Sequence, residues 1–389
     1  MNRPDMQTQN HQEEQDTRMY YGTLANKYHR TKKWMIAFLT IFLFLMIVFG
    51  HSQMKSANFR YLWKYQTVNA FTLSETYRNV SHSAGNGASF ALYKGDLAVL
   101  GEDKLSLYRL DDELIYKIYT DSSSSVLLSS EKYMATYVSG GKKLSVYDSF
   151  SLIQEMFFEE TIGLAALSND GSFTVYTKGN DAKMTVFDRD FQEIFSFSCA
   201  SRAVMDMAFS ADGEKLALIT LGVSGGSFDS ELLIFDLQTK KMEIRLRYDK
   251  KQAVNVSFFD DGRFFVSVGG TIFFYDRYGE AISSISRFQN YENDGNRLAV
   301  LSVSGEIVVY SSKGESMFRI TDTASATRMI LQDSILYIIS DARLIVYQDG
   351  APVSFADIRQ GVLDFFVLDD GSILLCYSAE TNRVIPKKE

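Results

Sequence analysis

The sequence predicts an all-β chain, a β-propeller of four-stranded blades preceded by one transmembrane helix. Three observations carry the prediction. A short apolar strand ending in an aromatic residue returns about every 40 residues. Asp-Gly turns join apolar stretches inside several of these periods. A single uncharged run, residues 34–50, precedes them all.

The recurring strand reads LSLY at Tyr108, LSVY at Tyr147, MTVF at Phe187 and LLIF at Phe235. It continues as IFFY at Tyr275, IVVY at Tyr310 and LIVY at Tyr347. The intervals are 39, 40, 48, 40, 35 and 37 residues, a period that matches a propeller blade. Each period divides into four strands. In the fourth these are 204–210, 215–220, 231–236 and 241–247, with Asp212-Gly213 turning the first into the second. The fifth repeats the scheme over 254–259, 264–269, 271–276 and 281–287. Third strands that are apolar at successive positions suit a sheet covered on both faces.

Seven periods are complete or nearly so. Residues 362–368 and 372–378, joined by Asp369-Asp370-Gly371, give the first two strands of an eighth. The missing pair is expected from 61–66 and 68–73 at the other end. Eight blades then close through shared N- and C-terminal strands, which removes exposed sheet edges. A seven-bladed ring with a decorated terminus is the alternative.

The uncharged run starts at Trp34 and ends at Gly50, WMIAFLTIFLFLMIVFG. As a helix it is roughly 25 Å long at about 1.5 Å per residue, near the short limit for a bilayer core of about 30 Å. Lys32, Lys33 and Trp34 can extend it at the interface. A cleaved signal peptide fits less well, because the 33 residues before it exceed an n-region and no A-x-A site follows. Four basic residues, Lys27, Arg30, Lys32 and Lys33, crowd its N-terminal flank. The positive-inside rule then sets the N-terminus in the cytoplasm and the propeller outside a cell membrane crossed once. The expected organisation is a cytoplasmic tail at 1–33, the span at 34–50, a short tether at 51–58, the propeller at 59–380 and a C-terminal tail at 381–389.

Charge and composition exclude several function classes. The net charge is −8, and beyond residue 33 the chain carries 34 basic against 44 acidic residues. So acidic a domain repels polyanions, and no nucleic-acid partner is expected. The four histidines, His11, His29, His51 and His82, all precede residue 83. A His-based triad, a histidine metal site and a His general base are therefore absent from the repeats. Cys199 and Cys376, 177 residues apart, read as buried free thiols.

The pairs Tyr147-Asp148, Phe187-Asp188, Phe235-Asp236 and Tyr275-Asp276 end third strands. They resemble the Trp-Asp dipeptide of WD-repeat propellers, although the Gly-His element of that family is missing. The form strand, Asp-Gly, strand, aromatic is similar to degenerate WD-like and quinoprotein-like propellers. In particular it resembles single-span, extracytoplasmic propeller proteins of unknown function from Gram-positive bacteria. That resemblance implies architecture and carries over no catalytic residue. Quinoprotein dehydrogenases repeat Trp in each blade to stack their cofactor. Here Trp63 is the sole tryptophan after the apolar run, so no cofactor is expected.

Two sets of residues stand out as candidate sites. The acidic turns at Asp170-Gly171, Asp212-Gly213, Asp261-Gly262, Asp294-Gly295 and Asp370-Gly371 read as hairpin turns, and no metal site is expected in them. Basic residues at or just before first strands form the other set: Arg202, Lys251, Arg287, Arg328 and Arg359. In a propeller such positions ring one mouth of the channel, where they could draw an anionic glycan or peptide. They could equally pair with channel carboxylates such as Asp206 and Asp364. The 48-residue interval adds about eight residues around Gly222 to Asp229, expected as a loop on the same face. The function expected is therefore that of a non-enzymatic, membrane-tethered binding or scaffolding propeller. Its partners are the bilayer, through residues 34–50, and an extracytoplasmic protein or glycan. A carboxylate-dependent envelope glycosidase or lyase is the alternative.

Overall fold

A computed structural model describes residues 31–42, 44, 79–120, 125–224, 226–321, 323 and 326–388. The chain divides into two compact units, Met1–Leu73 and Ser74–Glu389. In the first, residues 31–42 and 44 are helical and every described side chain of that helix is exposed. No helix among the described residues is long and apolar enough to cross a membrane. Residues 43 and 45–50 of the expected span lie outside the described residues, as do the expected strands at 61–66 and 68–73.

The second unit is an eight-bladed propeller. Blades 1 to 7 occupy residues 89–119, 125–157, 161–198, 203–249, 253–286, 288–320 and 326–357, each an antiparallel meander of four strands in chain order. The seven recurring aromatics all sit at or next to the end of a third strand. At each one the register to the fourth strand slips by a residue, between Leu107 and Tyr108 in blade 1 and at the equivalent pair in the other six. A bulge at this point sharpens the local twist of the outer pair of strands. The Asp that follows four of the aromatics closes the next turn. Asp276 Oδ1, for example, accepts N–H groups from Tyr278 at 2.9 Å and Glu280 at 2.8 Å. Asp148, Asp188 and Asp236 are bonded to backbone N–H groups of their own turns in the same way. The aromatic-Asp pair is thus a packing residue followed by a turn clamp.

Blade 8 closes the ring with three C-terminal strands, Asp364–Val367, Ile373–Cys376 and Glu380–Val384, and one N-terminal strand, Val80–Ser81. The ends share a blade, but three strands to one rather than two to two. Glu380–Val384 is its third strand, and Lys387–Lys388 adds a fifth strand to blade 7 beside Ser354 and Phe355. Much of the expected C-terminal tail is therefore sheet. The segment Glu380-Thr-Asn-Arg-Val384 lacks the aromatic mark, which is why its strand goes unseen in the repeat pattern.

Among the described residues the buried apolar side chains form eight clusters, one between each pair of neighbouring blades. The cluster of Val80, Phe90, Leu97, Val99 and Cys376 joins blade 8 to blade 1 and completes the circle. Both cysteines are free and buried. First strands of neighbouring blades approach one another and line the central axis.

His82 lies at this closure. Its backbone N–H donates to Ala379 O at 2.9 Å, and its Nε2 bonds Thr381 Oγ1 at 3.0 Å. The ring packs beside Phe90 and Tyr108 and is buried, which lowers its pKa below the ordinary 6.5, partly offset by Glu380. The folded ring accepts the neutral form. Its stabilisation is complete above the unfolded pKa of 6.5 and is lost as pH falls below it. Asp96 and Glu292, whose carboxyls burial raises to about 7, respond in the opposite direction, so the histidine shows only in a comparison. Between about pH 7.5 and about pH 5.5 the melting temperature of the wild type should fall further than that of His82→Gln, which keeps a donor toward Thr381 without a titrating ring. Parallel profiles would assign the acid response to other groups.

Candidate functional site

Strand connectivity sorts the loops of a propeller onto two faces. Connections from second to third strand, and from each fourth strand to the next blade, share one face. Of the four exposed aromatics in the described propeller, Tyr119, Phe157 and Phe228 lie on that face and Tyr278 on the other.

The most prominent feature of this face is in blade 4. The extra residues form no loop. They lengthen two strands into a hairpin, Lys215–Ser224 and Ser227–Asp236, paired out to Ser224 with Ser227. In blade 5 the same connection is the two-residue turn Gly269-Gly270, where both φ values are positive as a tight primed turn requires. Relative to it the blade 4 hairpin runs four residue pairs further, roughly 13 Å at ~3.3 Å per residue.

Alternation along the strands gives this arm two unlike sides. Leu232 and Ile234 pack toward blade 5, so Leu221, Val223 and Phe228 continue that side. Val223 and Phe228 are cross-strand partners and are 69% and 62% exposed at the tip. Leu233 and Phe235 pack toward blade 3, and on that side the arm carries Asp229 and Glu231, each only 5% exposed.

Three arginines enclose these carboxylates. Arg202 Nη1 donates to Asp229 Oδ2 at 2.9 Å, its Nε to Thr220 Oγ1 at 2.8 Å and its Nη2 to Asp229 O at 2.9 Å. Arg245 Nη2 reaches both oxygens of Glu231 at 2.9 Å. Arg247 bonds Asp249 at 2.9 Å and lies 3.7 Å from Asp229. Gly222 makes room for this, since a Cβ there would fall 2.6 Å from Arg202 Nη1. Ser230 Oγ accepts the Ala253 N–H at 3.0 Å and ties the arm's other side to blade 5. The arm is therefore held stiff at its base while its tip stays apolar and free of charge.

Connectivity brings Arg202, Lys251, Arg287 and Arg359 to this one face, but the side chains of Arg202, Lys251 and Arg359 have separate partners. Arg202 belongs to the arm. Lys251 Nζ stands 5.8 Å from the centre of the Phe273 ring. Arg287 is exposed, and its backbone bridges the turns of blades 5 and 6 through Gly270 O and Val303 N. Arg359 pairs with Glu380 at 2.9 Å and lies over the Tyr377 ring. Arg328 is inside a first strand and faces the channel, 3.8 Å from Asp364. The acidic turns have local duties: the side chains of Asp170, Asp212, Asp261, Asp294 and Asp370 accept backbone N–H groups two residues on.

In the channel, a bulge near the start of the first strands of blades 4 to 7 sets Asp206, Asn255, Asn290 and Arg328 at equivalent positions, with Asp364 in blade 8. Asp206 is settled by Asn255 Nδ2 and Val256 N–H, both at 2.9 Å. Beyond Asn290 the channel opens into a cavity of about 270 Å³ lined by Glu292, Arg328, Asp364 and Phe365 among others. Burial, and then the Asp364 charge, push the Glu292 carboxyl up to about 7. Glu292 and the pair Asp229 and Glu231 went unremarked in the sequence. Carboxylates on strands that are covered on both faces were their only signal.

Arg202→Ala strips a guanidinium from two buried carboxylates and should cost about 3 kcal/mol, whereas exposed Arg359→Ala should cost about 1 kcal/mol or less. Chemical denaturation of both variants measures the contrast, and equal losses would show that the arm network is no more stabilising than a surface pair.

Residues 64–384 match a family described as "Family of unknown function (DUF5711)". No curated protein sequence matches the chain. Among solved structures, BamB from Moraxella catarrhalis is similar at TM-score 0.54 and 11% identity, over 79% of this chain and 98% of that one. The Dos1 propeller is similar at TM-score 0.56 and 12% identity, over 79% and 93%. Chaetomium thermophilum Sqt1, bound to the N-terminus of the ribosomal protein L10, is similar at TM-score 0.56 and 15% identity, over 80% and 100%. Likeness at these identities concerns the fold.

Proposed function

The chain belongs to that family of unknown function, and from this premise we propose a binding or scaffolding propeller, tethered to a membrane and working outside the cytoplasm. One observation carries the binding role: the stiff blade 4 arm presents an exposed Val223 and Phe228 pair on the face that also holds Tyr119 and Phe157. Aromatic and aliphatic anchors on a rigid support are what a protein partner's apolar pocket engages. The charges near the arm favour a protein over an anionic glycan. Arg202, Arg245 and Arg247 already have carboxylates of their own. The Sqt1 structure, in which a propeller is bound to another protein's N-terminus, offers a precedent for the fold in this role.

The tether rests on residues 34–50. A helix that is apolar and exposed on every side, as at Trp34, Ile36, Phe38, Leu39, Ile41 and Phe42, calls for an apolar surrounding. A carboxylate-dependent glycosidase or lyase is a second reading, favoured by Glu292 and Asp364 sharing a cavity with one carboxyl raised to about 7. Loss of polymer cleavage in folded Glu292→Gln would be its signature.

Two experiments test the main proposal. In membranes of cells making the full chain, Val223→Asp with Phe228→Asp should lose at least about tenfold of any partner that the wild type and Tyr278→Asp both retain, since buried anchors dominate interface energy. The variant's melting temperature should stay close to the wild-type value, because both side chains are exposed. A partner kept by the arm variant would turn the proposal down. Separately, the full chain should remain in the pellet after alkaline carbonate extraction, with the propeller digested by protease added outside and the N-terminal residues protected. Release by carbonate would remove the tether.

A further inference from the structure

The channel holds a second feature of note, apart from the arm. In blades 6 to 8 the first strands bring Asn290, Glu292, Arg328 and Asp364 around one cavity of about 270 Å³. It adjoins a second cavity of about 240 Å³ that shares Asn290, Thr327, Arg328 and Met329. Together they can admit a small organic molecule.

The charges in this cavity do not balance. Two carboxyl groups face one guanidinium, and Arg328 sits nearer Asp364, at 3.8 Å. Among the described residues Glu292 has no cationic partner. The next carboxylate along the channel, Asp206, is settled by Asn255 and the Val256 N–H. We infer that this cavity binds a small ligand through a protonated amine held between Glu292 and Asp364, with Asn290 offered to a neighbouring polar group.

Other ligand classes fit less well. An anion would meet two carboxyls and one arginine. A calcium ion takes six to eight oxygens, and two carboxyls and one amide offer fewer. An ammonium needs only a few acceptors and can sit away from Arg328.

Binding should be linked to protons. Glu292 is held up at about 7 by burial and then by the Asp364 charge, and an ammonium offsets that charge and favours the ionised carboxylate. The charged groups facing it are Asp364 from blade 8 and Arg328 from blade 7. Glu292 should pass from mostly protonated at about pH 6 to mostly ionised at about pH 8, so affinity should rise about tenfold across that interval.

The test uses the full chain in detergent micelles, titrated calorimetrically with cadaverine, and with pentanediol as its uncharged analogue. Saturable binding of cadaverine that strengthens about tenfold from about pH 6 to about pH 8, with none for pentanediol, is expected. Glu292→Gln, nearly isosteric with the protonated carboxyl, should flatten that dependence and weaken binding at the higher pH. The Val223→Asp, Phe228→Asp variant should bind cadaverine normally, which keeps this site separate from the arm. No saturable binding at about pH 8, equal binding of pentanediol, or an unchanged pH profile in Glu292→Gln would each overturn the inference.

Discussion

Everything in the propeller depends on a closed circle of apolar interfaces. A four-stranded blade is apolar on both faces and can cover neither alone. Each of the eight clusters takes side chains from two blades, so no blade has a core of its own. In an open row the two terminal blades would each leave one face in water. Closure removes both exposed faces at once, and it is completed by a two-residue strand, Val80–Ser81, on the last blade. Burial does most of the stabilising, but the backbone and His82 bonds at the seam fix which strands meet.

The repeat was legible because it is built from local chemistry. The aromatic marks the bulge of a third strand, the Asp after it clamps a turn, and Asp-Gly turns the first strand into the second. Those signals act within a few residues, so they survive in a single sequence. What could not be read depends on distance along the chain. Glu380–Val384 pairs with Val80–Ser81 some 300 residues away and carries no aromatic, so it looked like a tail. The Gly-rich stretch around Gly222 to Gly226 looked like a loop, though Ser224 is still paired with Ser227. Glycine there serves the turn and the close approach of Arg202 rather than disorder of the ladder.

The candidate site shows the same division. Spacing alone placed Arg202, Lys251, Arg287 and Arg359 on one face, because the blade period fixes which end of a strand a residue occupies. It could not say what each side chain meets. The partners of Arg202 come from the lengthened hairpin, and the partner of Arg359 from the closing strand. Arg328 stands four positions further along than Arg202, at the place Asp206 holds in blade 4, and there it faces the channel and Asp364. The bulge that blades 4 to 7 share decides which surface that place faces, and no count of intervals reveals it.

The two carboxylate clusters differ in a way that separates their roles. Around the arm, Asp229, Glu231 and Asp249 are matched by Arg202, Arg245 and Arg247, so the charges balance and the cluster acts as a brace. In the channel, the one arginine stands by Asp364 and leaves Glu292 without a cation, and burial there favours the protonated carboxyl instead. A brace gains nothing from a ligand, whereas an unbalanced pocket does. Lengthening a ladder, rather than inserting a free loop, also lets the arm change in sequence at its tip without disturbing the ring. Stability then resides in the interfaces between blades. The places proposed for recognition are the two where that circle leaves apolar surface or charge unpaired.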